Sequence, residues 1–220
     1  MTEAENPALV ERLRRLRTAV VSDCLDTLGA ERCVVGPTVR PLHPDLVLAG
    51  VARPARATRV FERPSRPYLN WIALTDSLRP LDVPVLTSGG LVAGALFGDL
   101  LATAAQARGA AGVIADGPIR DREQLLALGF AAFASALTPA DNYGRMDLVA
   151  YDVPIECAGA RVEPGDLVLG DCDGVVILPR SLAAETIRLA EAATADEEYL
   201  RGELQRGRSV FDLFTERGII

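Results

Sequence analysis

The sequence predicts an α/β fold, and three features of its patterning support that class. Between residues 83 and 136, short apolar runs alternate with helix-length segments as strand, helix, strand, helix, strand, the rhythm of a parallel layer covered by crossover helices. The run Gly112-Val113-Ile114-Ala115-Asp116 is apolar at successive rather than alternate positions, as expected of a strand buried on both faces. After Pro139 the helices drop out, and short runs separated by turn residues predict a barrel-like or meandering sheet.

Taken in order, Leu13, Leu16, Val20, Val21, Cys24, Leu25 and Leu28 recur at three- and four-residue spacing. They predict one long helix or two abutting helices over 7–28, stopped by Gly29. Thr18 and Ser22-Asp23 are candidate caps at which a helix restarts, because their side-chain oxygens can satisfy free backbone N–H groups. The proline-rich stretch 30–70 reads as strands and tight turns around Leu46-Val47-Leu48 and the alternating run 55–60. Its arginines (Arg53, Arg56, Arg59, Arg63, Arg66) read as a solvated strand edge or, alternatively, as an anion-binding face.

Residues 68–78 read as a helix and 83–87 as a buried strand ending in Ser88-Gly89-Gly90. An alanine-rich helix over 100–108 closes at Gly109, a helix over 122–128 closes at Gly129, and 130–136 forms the next strand. Four strands follow, at 153–155, 160–162, 166–169 and 175–178, and then a charged helix over 181–206 and a short one at 210–214.

With 220 residues and 49% hydrophobic content, the chain is expected to form one domain over 1–220, with an N-terminal helix and a C-terminal helical extension. A net charge of -7 argues against nucleic acid or anionic membrane as partner. No apolar run is long enough to span a bilayer, and residues 1–17 read as a charged helix rather than a signal peptide, so the expected location is the cytoplasm. Cys24, Cys33, Cys157 and Cys172 form no CxxC pair and read as buried reduced thiols. All 23 basic residues are arginine, which removes the Schiff-base lysine, the Walker lysine and pyridoxal-phosphate attachment. The single histidine, His43, lies between prolines in a loop-like stretch, where it supports neither a triad nor a multi-histidine zinc site.

One constellation carries chemistry. Gly98 opens the helix that begins near Asp99, and the first amides of that helix, at Leu100, Leu101 and Ala102, are free to hold a carboxylate. Twenty residues separate Asp99 from Arg120, the length of one helix plus one strand, so a βαβ crossover returns Arg120-Asp121 to the helix start. Asp121, with waters held by Asp99, suits Mg²⁺ or Mn²⁺, and Arg120 adds a fixed positive fork. Such a pocket can bind a small 2-oxo acid and stabilise the charge that develops on its keto oxygen when the adjacent C–C bond breaks. The same pair also fits a structural salt bridge or the N-terminal charge of the following helix.

The Gly98-Asp99-Leu100-Leu101 turn, its interval to Arg120-Asp121, Pro164-Gly165-Asp166 and Asp171-Cys172-Asp173-Gly174-Val175-Val176 together resemble the RraA-like family. That family contains class II 4-hydroxy-4-methyl-2-oxoglutarate/4-carboxy-4-hydroxy-2-oxoadipate aldolases and regulators of ribonuclease E activity. The resemblance runs from Thr18 to Gly207 and implies a swivelling β/β/α domain, a layered sandwich that assembles as a homotrimer or homohexamer with the site at a subunit interface. It implies a divalent-metal pyruvate site at Asp99, Arg120 and Asp121, with oxaloacetate decarboxylation as a side activity. It further implies an acid lent by a neighbouring subunit, for which Glu197 and Glu198 are the candidates. A regulator that keeps the fold without the chemistry, or another small 2-oxo acid lyase, is the alternative. Asp171 and Asp173 read as turn residues rather than metal ligands. The segment Phe133-Ala134-Ser135-Ala136 departs from the pattern of many members, so Ser135 is expected to bear on how groups beyond the pyruvyl unit are read.

Overall fold

The structure is a computed structural model and describes residues 6–217. The expected helicity of residues 1–5, and the extreme ends of the 1–220 domain span, lie outside the described residues.

Two helices, α1 (Asn6–Leu13) and α2 (Thr18–Thr27), precede β1 (Arg40–Pro41) and the long β2 (Leu48–Arg59). Three β–α units follow: α3 (Leu69–Asp76) and β3 (Asp82–Thr87), α4 (Asp99–Ala107) and β4 (Gly112–Ile119), α5 (Arg122–Leu128) and β5 (Ala131–Leu137). The remainder is β6 (Met146–Tyr151), the hairpin β7 (Ile155–Cys157) and β8 (Ala160–Val162), the hairpin β9 (Leu167–Asp171) and β10 (Gly174–Leu178), then α6 (Ala183–Gln205) and α7 (Val210–Arg217). The predicted elements are present, with β6 as an addition. Its segment, Met146-Asp147-Leu148-Val149-Ala150-Tyr151, buries only Met146 and Leu148, so it carries a weak alternation that turn residues obscure.

The main sheet runs β1-β5-β4-β3-β2-β9-β10, with β6 also on β2. Strands β2, β3, β4 and β5 pair in parallel, while β1, β6, β9 and β10 join antiparallel. Val34 bridges to Val176, and Arg40 donates to the carbonyl of Asp173, so the two ends of the sheet approach and the sheet nearly closes into a barrel. Alternation of side chains sorts the strand residues onto two faces. Val83, Val85, Ile114, Phe133, Val168, Val175 and Ile177 point inward, where the β7–β8 hairpin plugs the barrel with Ile155, Cys157, Ala160 and Val162. Leu86, Val113, Ala115, Ala132 and Ala134 face α3, α4 and α5. Leu167, Leu169, Val176 and Leu178 face α1, α2 and α6. The consecutive apolar residues that the sequence shows in β4 and β10 follow from this burial on both faces.

Helices α4 and α5 stop where expected. Gly109 and Gly129 take φ of 82° and 68°, and the amides of Ala110 and Phe130 reach back to the carbonyls of Ala105 and Leu125.

Two expectations are corrected. Strand β2 is central rather than an edge, because its small alanines let β3, β6 and β9 pack on both sides. Arg53 is accordingly withdrawn from solvent: its guanidinium donates to Asp82 at 2.7 Å and to Asp152 at 2.6 and 2.8 Å, which raises its pKa further. The second helix starts at Thr18, leaving Ser22-Asp23 mid-helix, and its cap is not local. The Asp171 carboxylate accepts from Thr18 N at 2.9 Å and Thr18 Oγ1 at 2.7 Å, and the amide of Asp173 donates to it at 2.9 Å. This carboxylate therefore pins α2 to the β9–β10 turn. Asp171→Ala is expected to lower the unfolding free energy by about 1–2 kcal/mol, read from the urea midpoint at unchanged slope.

Candidate active site

The site forms where the loop after β3 threads past the C-terminal end of β4. Leu96 N donates to Pro118 O at 2.7 Å, Arg120 N to Phe97 O at 3.0 Å, and Ala95 N to Ala140 O at 2.9 Å. These bonds clamp residues 95–98 between β4 and the 138–142 loop, and they bring the start of α4 beside Arg120-Asp121, as the crossover spacing predicts.

Asp121 has left-handed backbone, φ 61° and ψ 40°, and its carboxylate does not cap α5. It turns to α4, where Oδ2 accepts from Asp99 N at 3.2 Å and lies 3.3 Å from Arg120 Nε. Gly98 is required by this proximity: a Cβ there would lie 2.6 Å from Asp121 Oδ2 and 3.1 Å from Arg120 Nε. Arg120 NH1 also lies 3.4 Å from Asp141 Oδ1. Asp121 Oδ1 and the Asp99 carboxylate make no hydrogen bond among the described residues.

The amides of Leu100 and Leu101 have no partner among the described residues, whereas Ala102 N donates to Gly98 O at 3.0 Å. The expected three-amide cradle is thus narrower, because the first helical hydrogen bond already takes the third N–H.

Gly98, Asp99, Leu100, Leu101 and Arg120 open on a cavity of about 240 Å³ whose other wall is Tyr68, Trp71, Asp141 and Asn142, and Asp121 does not itself line it. Sequence reasoning missed this wall. It places Tyr68 and Trp71 only in a helix over 68–78 and gives Asp141-Asn142 no role. Tyr68, itself at φ 65°, donates its hydroxyl to Asp141 Oδ2. Burial, then the Asp141 hydrogen bond and charge, push the Tyr68 phenol up to about 12, against a smaller pull from Arg120. Trp71 Nε1 and Asn142 Oδ1 are buried without a hydrogen-bond partner among the described residues.

Other candidates lie elsewhere. Glu197 and Glu198 are on α6, which packs on α1 and α2, and Glu197 lies 3.7 Å from Arg201. Ser135 does not line the cavity; its Oγ donates to Asp116 O at 2.8 Å within the sheet. Asp116 is itself consumed, accepting from Thr87 Oγ1 and from Ser88 N at 2.7 Å. The groove of about 810 Å³ beside it is larger but wide open, and its Arg32 and Arg161 are paired with Glu156 and Glu163. Asp171, Cys172 and Asp173 bring their ligand atoms within 4.8 Å, yet the Asp171 oxygens are already occupied at the α2 cap. His43 accepts from the Asp45 amide in an exposed turn. Cys24, Cys33 and Cys157 are buried, with burial raising each thiol pKa, while Cys172 is exposed, contrary to expectation, because it sits in the β9–β10 turn. Among the described residues no helix is long and apolar enough to cross a membrane.

The profile of the RraA-like (Aldolase/RraA) family matches residues 18–177. A Halalkalibacterium halodurans protein provisionally named 4-hydroxy-4-methyl-2-oxoglutarate aldolase is 31% identical over 90% of this chain and 89% of its own. The Thermus thermophilus 4-hydroxy-4-methyl-2-oxoglutarate aldolase is 37% identical over 41% of this chain and 55% of its own. The structure of Streptomyces coelicolor RraAS2, described as an unusual member of the RNase ES inhibitor RraA protein family, superposes with TM-score 0.80 at 30% identity, over 89% of this chain and 98% of that one.

Replacing Asp141 by Asn removes the negative charge that opposes phenolate formation. In Asp141→Asn the ionisation of Tyr68 is therefore expected to fall from about 12 toward the ordinary tyrosine range, seen as an earlier step in the near-ultraviolet difference absorbance on alkaline titration.

Proposed function

The chain belongs to the RraA-like family, and from that premise we propose that it is a carbon–carbon lyase, a divalent-metal-dependent class II aldolase of the 4-hydroxy-4-methyl-2-oxoglutarate type that releases pyruvate. The observation that carries this reading is the meeting of Asp99, Arg120 and the two free α4 amides on one small cavity, with the Asp121 carboxylate held against the Asp99 amide and Arg120 Nε. The absence of lysine supports it as well, since no covalent imine route is open.

In this mechanism the Leu100 and Leu101 amides hold the carboxylate of the 2-oxo acid, favoured by the partial positive charge of the helix start. Arg120 faces the C2 carbonyl oxygen. As the C3–C4 bond breaks, its electrons pass to that oxygen while the C4 hydroxyl gives its proton to solvent water and becomes the product carbonyl; C3 then takes a proton from solvent water and the enolate collapses to pyruvate. Arg120, already held by Asp121 and Asp141, stabilises the developing enolate without reorganising.

The donor set fits a hard divalent ion. Asp121 Oδ1 and the Asp99 carboxylate, both without a hydrogen bond among the described residues, would hold it, and oxygen donors suit Mg²⁺ or Mn²⁺. Bound there, the ion supplies Lewis acidity to the same carbonyl oxygen. So few protein ligands support completion by a second copy: the chain is read as a cytoplasmic homotrimer or homohexamer in which Glu197 or Glu198 of a neighbouring copy joins the site. Oxaloacetate decarboxylation passes through the same enolate and is expected as a side activity. The likeness to Streptomyces coelicolor RraAS2 favours a second reading, a non-catalytic regulator that binds a ribonuclease.

A coupled pyruvate assay separates the two. With Mg²⁺, pyruvate is released from 4-hydroxy-2-oxo acids; EDTA abolishes the release, and Asp121→Ala lowers it by about 10³-fold or more. Activity that survives both treatments rules the metal reading out, and no activity on any such acid, together with binding to a ribonuclease, selects the regulator. Gly98→Ala, which forces Asp121 and Arg120 aside, is expected to cost about 10²-fold in kcat with little change in Tm.

A further inference from the structure

Cleavage of a 4-hydroxy-2-oxo acid makes a demand that decarboxylation of oxaloacetate does not. In the first reaction the C4 hydroxyl gives up a proton as the C3–C4 bond breaks. In the second the leaving carbon departs as CO2 and has no proton to give. A proton acceptor on the C4 side of the cavity therefore speeds cleavage and is idle in decarboxylation.

The chain has few groups for that task. It contains no lysine, and its single histidine sits in an exposed turn that does not line the cavity. The ionisable side chains lining the cavity are Tyr68, Asp99, Arg120 and Asp141. Arg120 stays protonated, and Asp99 belongs to the acidic pair read as holding the ion. Tyr68 and Asp141 remain, both on the wall across from the α4 amides.

Their contacts form a relay with one open end. Tyr68 donates its hydroxyl to Asp141 Oδ2, while Asp141 Oδ1 accepts from Asn142 N at 2.8 Å and lies 3.4 Å from Arg120 NH1. No donor reaches the Tyr68 oxygen among the described residues, so that oxygen can still accept a proton. Both groups are within reach of a ligand: Tyr68 is half-buried, and the Asp141 side chain is 41% exposed. The backbone of Tyr68 is left-handed at φ 65°, as that of Asp121 is at φ 61°. Such strain persists where the surroundings fix a side chain, and here it falls on both ends of the contacts that run from Asp121 through Arg120 and Asp141 to Tyr68. Burial and the Asp141 charge keep the phenol neutral, so it hands a proton on and does not stand as phenolate.

We propose that Tyr68 and Asp141 are the proton relay for the C4 hydroxyl, Tyr68 as the catalytic residue and Asp141 as the acceptor behind it. Tyr68 Oη takes the hydroxyl proton, directly or through one solvent water, while its own proton moves to Asp141 Oδ2 and the C3–C4 electrons pass to the C2 oxygen. The C4 hydroxyl becomes strongly acidic only as that bond breaks, so a carboxylate is basic enough to end the relay. Asp141 then returns its proton to solvent and C3 takes one from solvent water, which leaves the proton count unchanged. The relay places no condition on the rest of the aldehyde or ketone fragment, so diacids and monoacids are served alike. The inference rests on the aldolase reading and assigns its base.

The test uses the full chain with Mg²⁺ and follows two reactions side by side, pyruvate release from 4-hydroxy-4-methyl-2-oxoglutarate and decarboxylation of oxaloacetate. Tyr68→Phe removes the hydroxyl and keeps the ring, and it is expected to lower the ratio of kcat for cleavage to kcat for decarboxylation by about 10²-fold. A tyrosine that only supports the wall lowers both rates together, so an unchanged ratio overturns the relay. Asp141→Asn leaves an oxygen for the Tyr68 hydroxyl but removes the final acceptor; it is expected to lower the same ratio by about 10²-fold and decides the matter should Tyr68→Phe fail to fold. A wild-type chain that catalyses both reactions, with an unchanged ratio in the variants, defeats only the relay. A wild-type chain that catalyses neither defeats the aldolase reading and the relay with it.

Discussion

Asp121 stands at φ 61° and ψ 40°, a region that costs a residue with a Cβ on the order of 1–2 kcal/mol. The conformation turns its carboxylate back across the end of β4, away from α5, to the first amide of α4 and to Arg120 Nε. One carboxylate oxygen thus ties the end of a strand to the start of the preceding helix, and the other remains available. From there the contacts continue into the wall of the cavity, Arg120 facing both Asp121 and Asp141, and Asp141 in turn receiving the Tyr68 hydroxyl.

The strain can be held because the scaffold beneath it is stiff. Strands β3 and β4 and the first four residues of β5 are buried on both faces, between the helix layer and a barrel interior filled by Phe133, Ile114, Val85 and the β7–β8 plug. Such an interior is close-packed and does not deform gradually. The loop over 95–98 is stitched on both sides by backbone hydrogen bonds, so Gly98 has one place to sit. The absence of a Cβ at Gly98 is then a geometric requirement, and it explains why a glycine precedes the acidic residue at the α4 start.

The opposite face of the molecule is held by different means. Asp171 caps α2 across the chain, Arg53 locks β2 to β3 and to the segment after β6, and α6 lies over α1 and α2. These charged contacts satisfy groups that burial would otherwise leave unpaired. They involve acids and arginines as suggestive as those of the site, but their atoms are already used by backbone amides and by each other.

Local patterning alone determines the parallel β–α units, the glycine stops of α4 and α5, the strands of the last third, and the pairing of Gly98-Asp99 with Arg120-Asp121. Each depends on residues close in sequence or on the fixed length of one crossover, and periodicity and turn chemistry report such things directly. The centrality of β2, the trans cap from Asp171, and the wall of Tyr68, Trp71, Asp141 and Asn142 were decided only by tertiary structure. These come from segments as much as 153 residues apart in the chain, and whether an arginine, a tyrosine or an asparagine ends in solvent, in an ion pair or against a cavity is set by what folds over it. The half of the site that resembles a motif was therefore legible from the chain, and the wall opposite it was not.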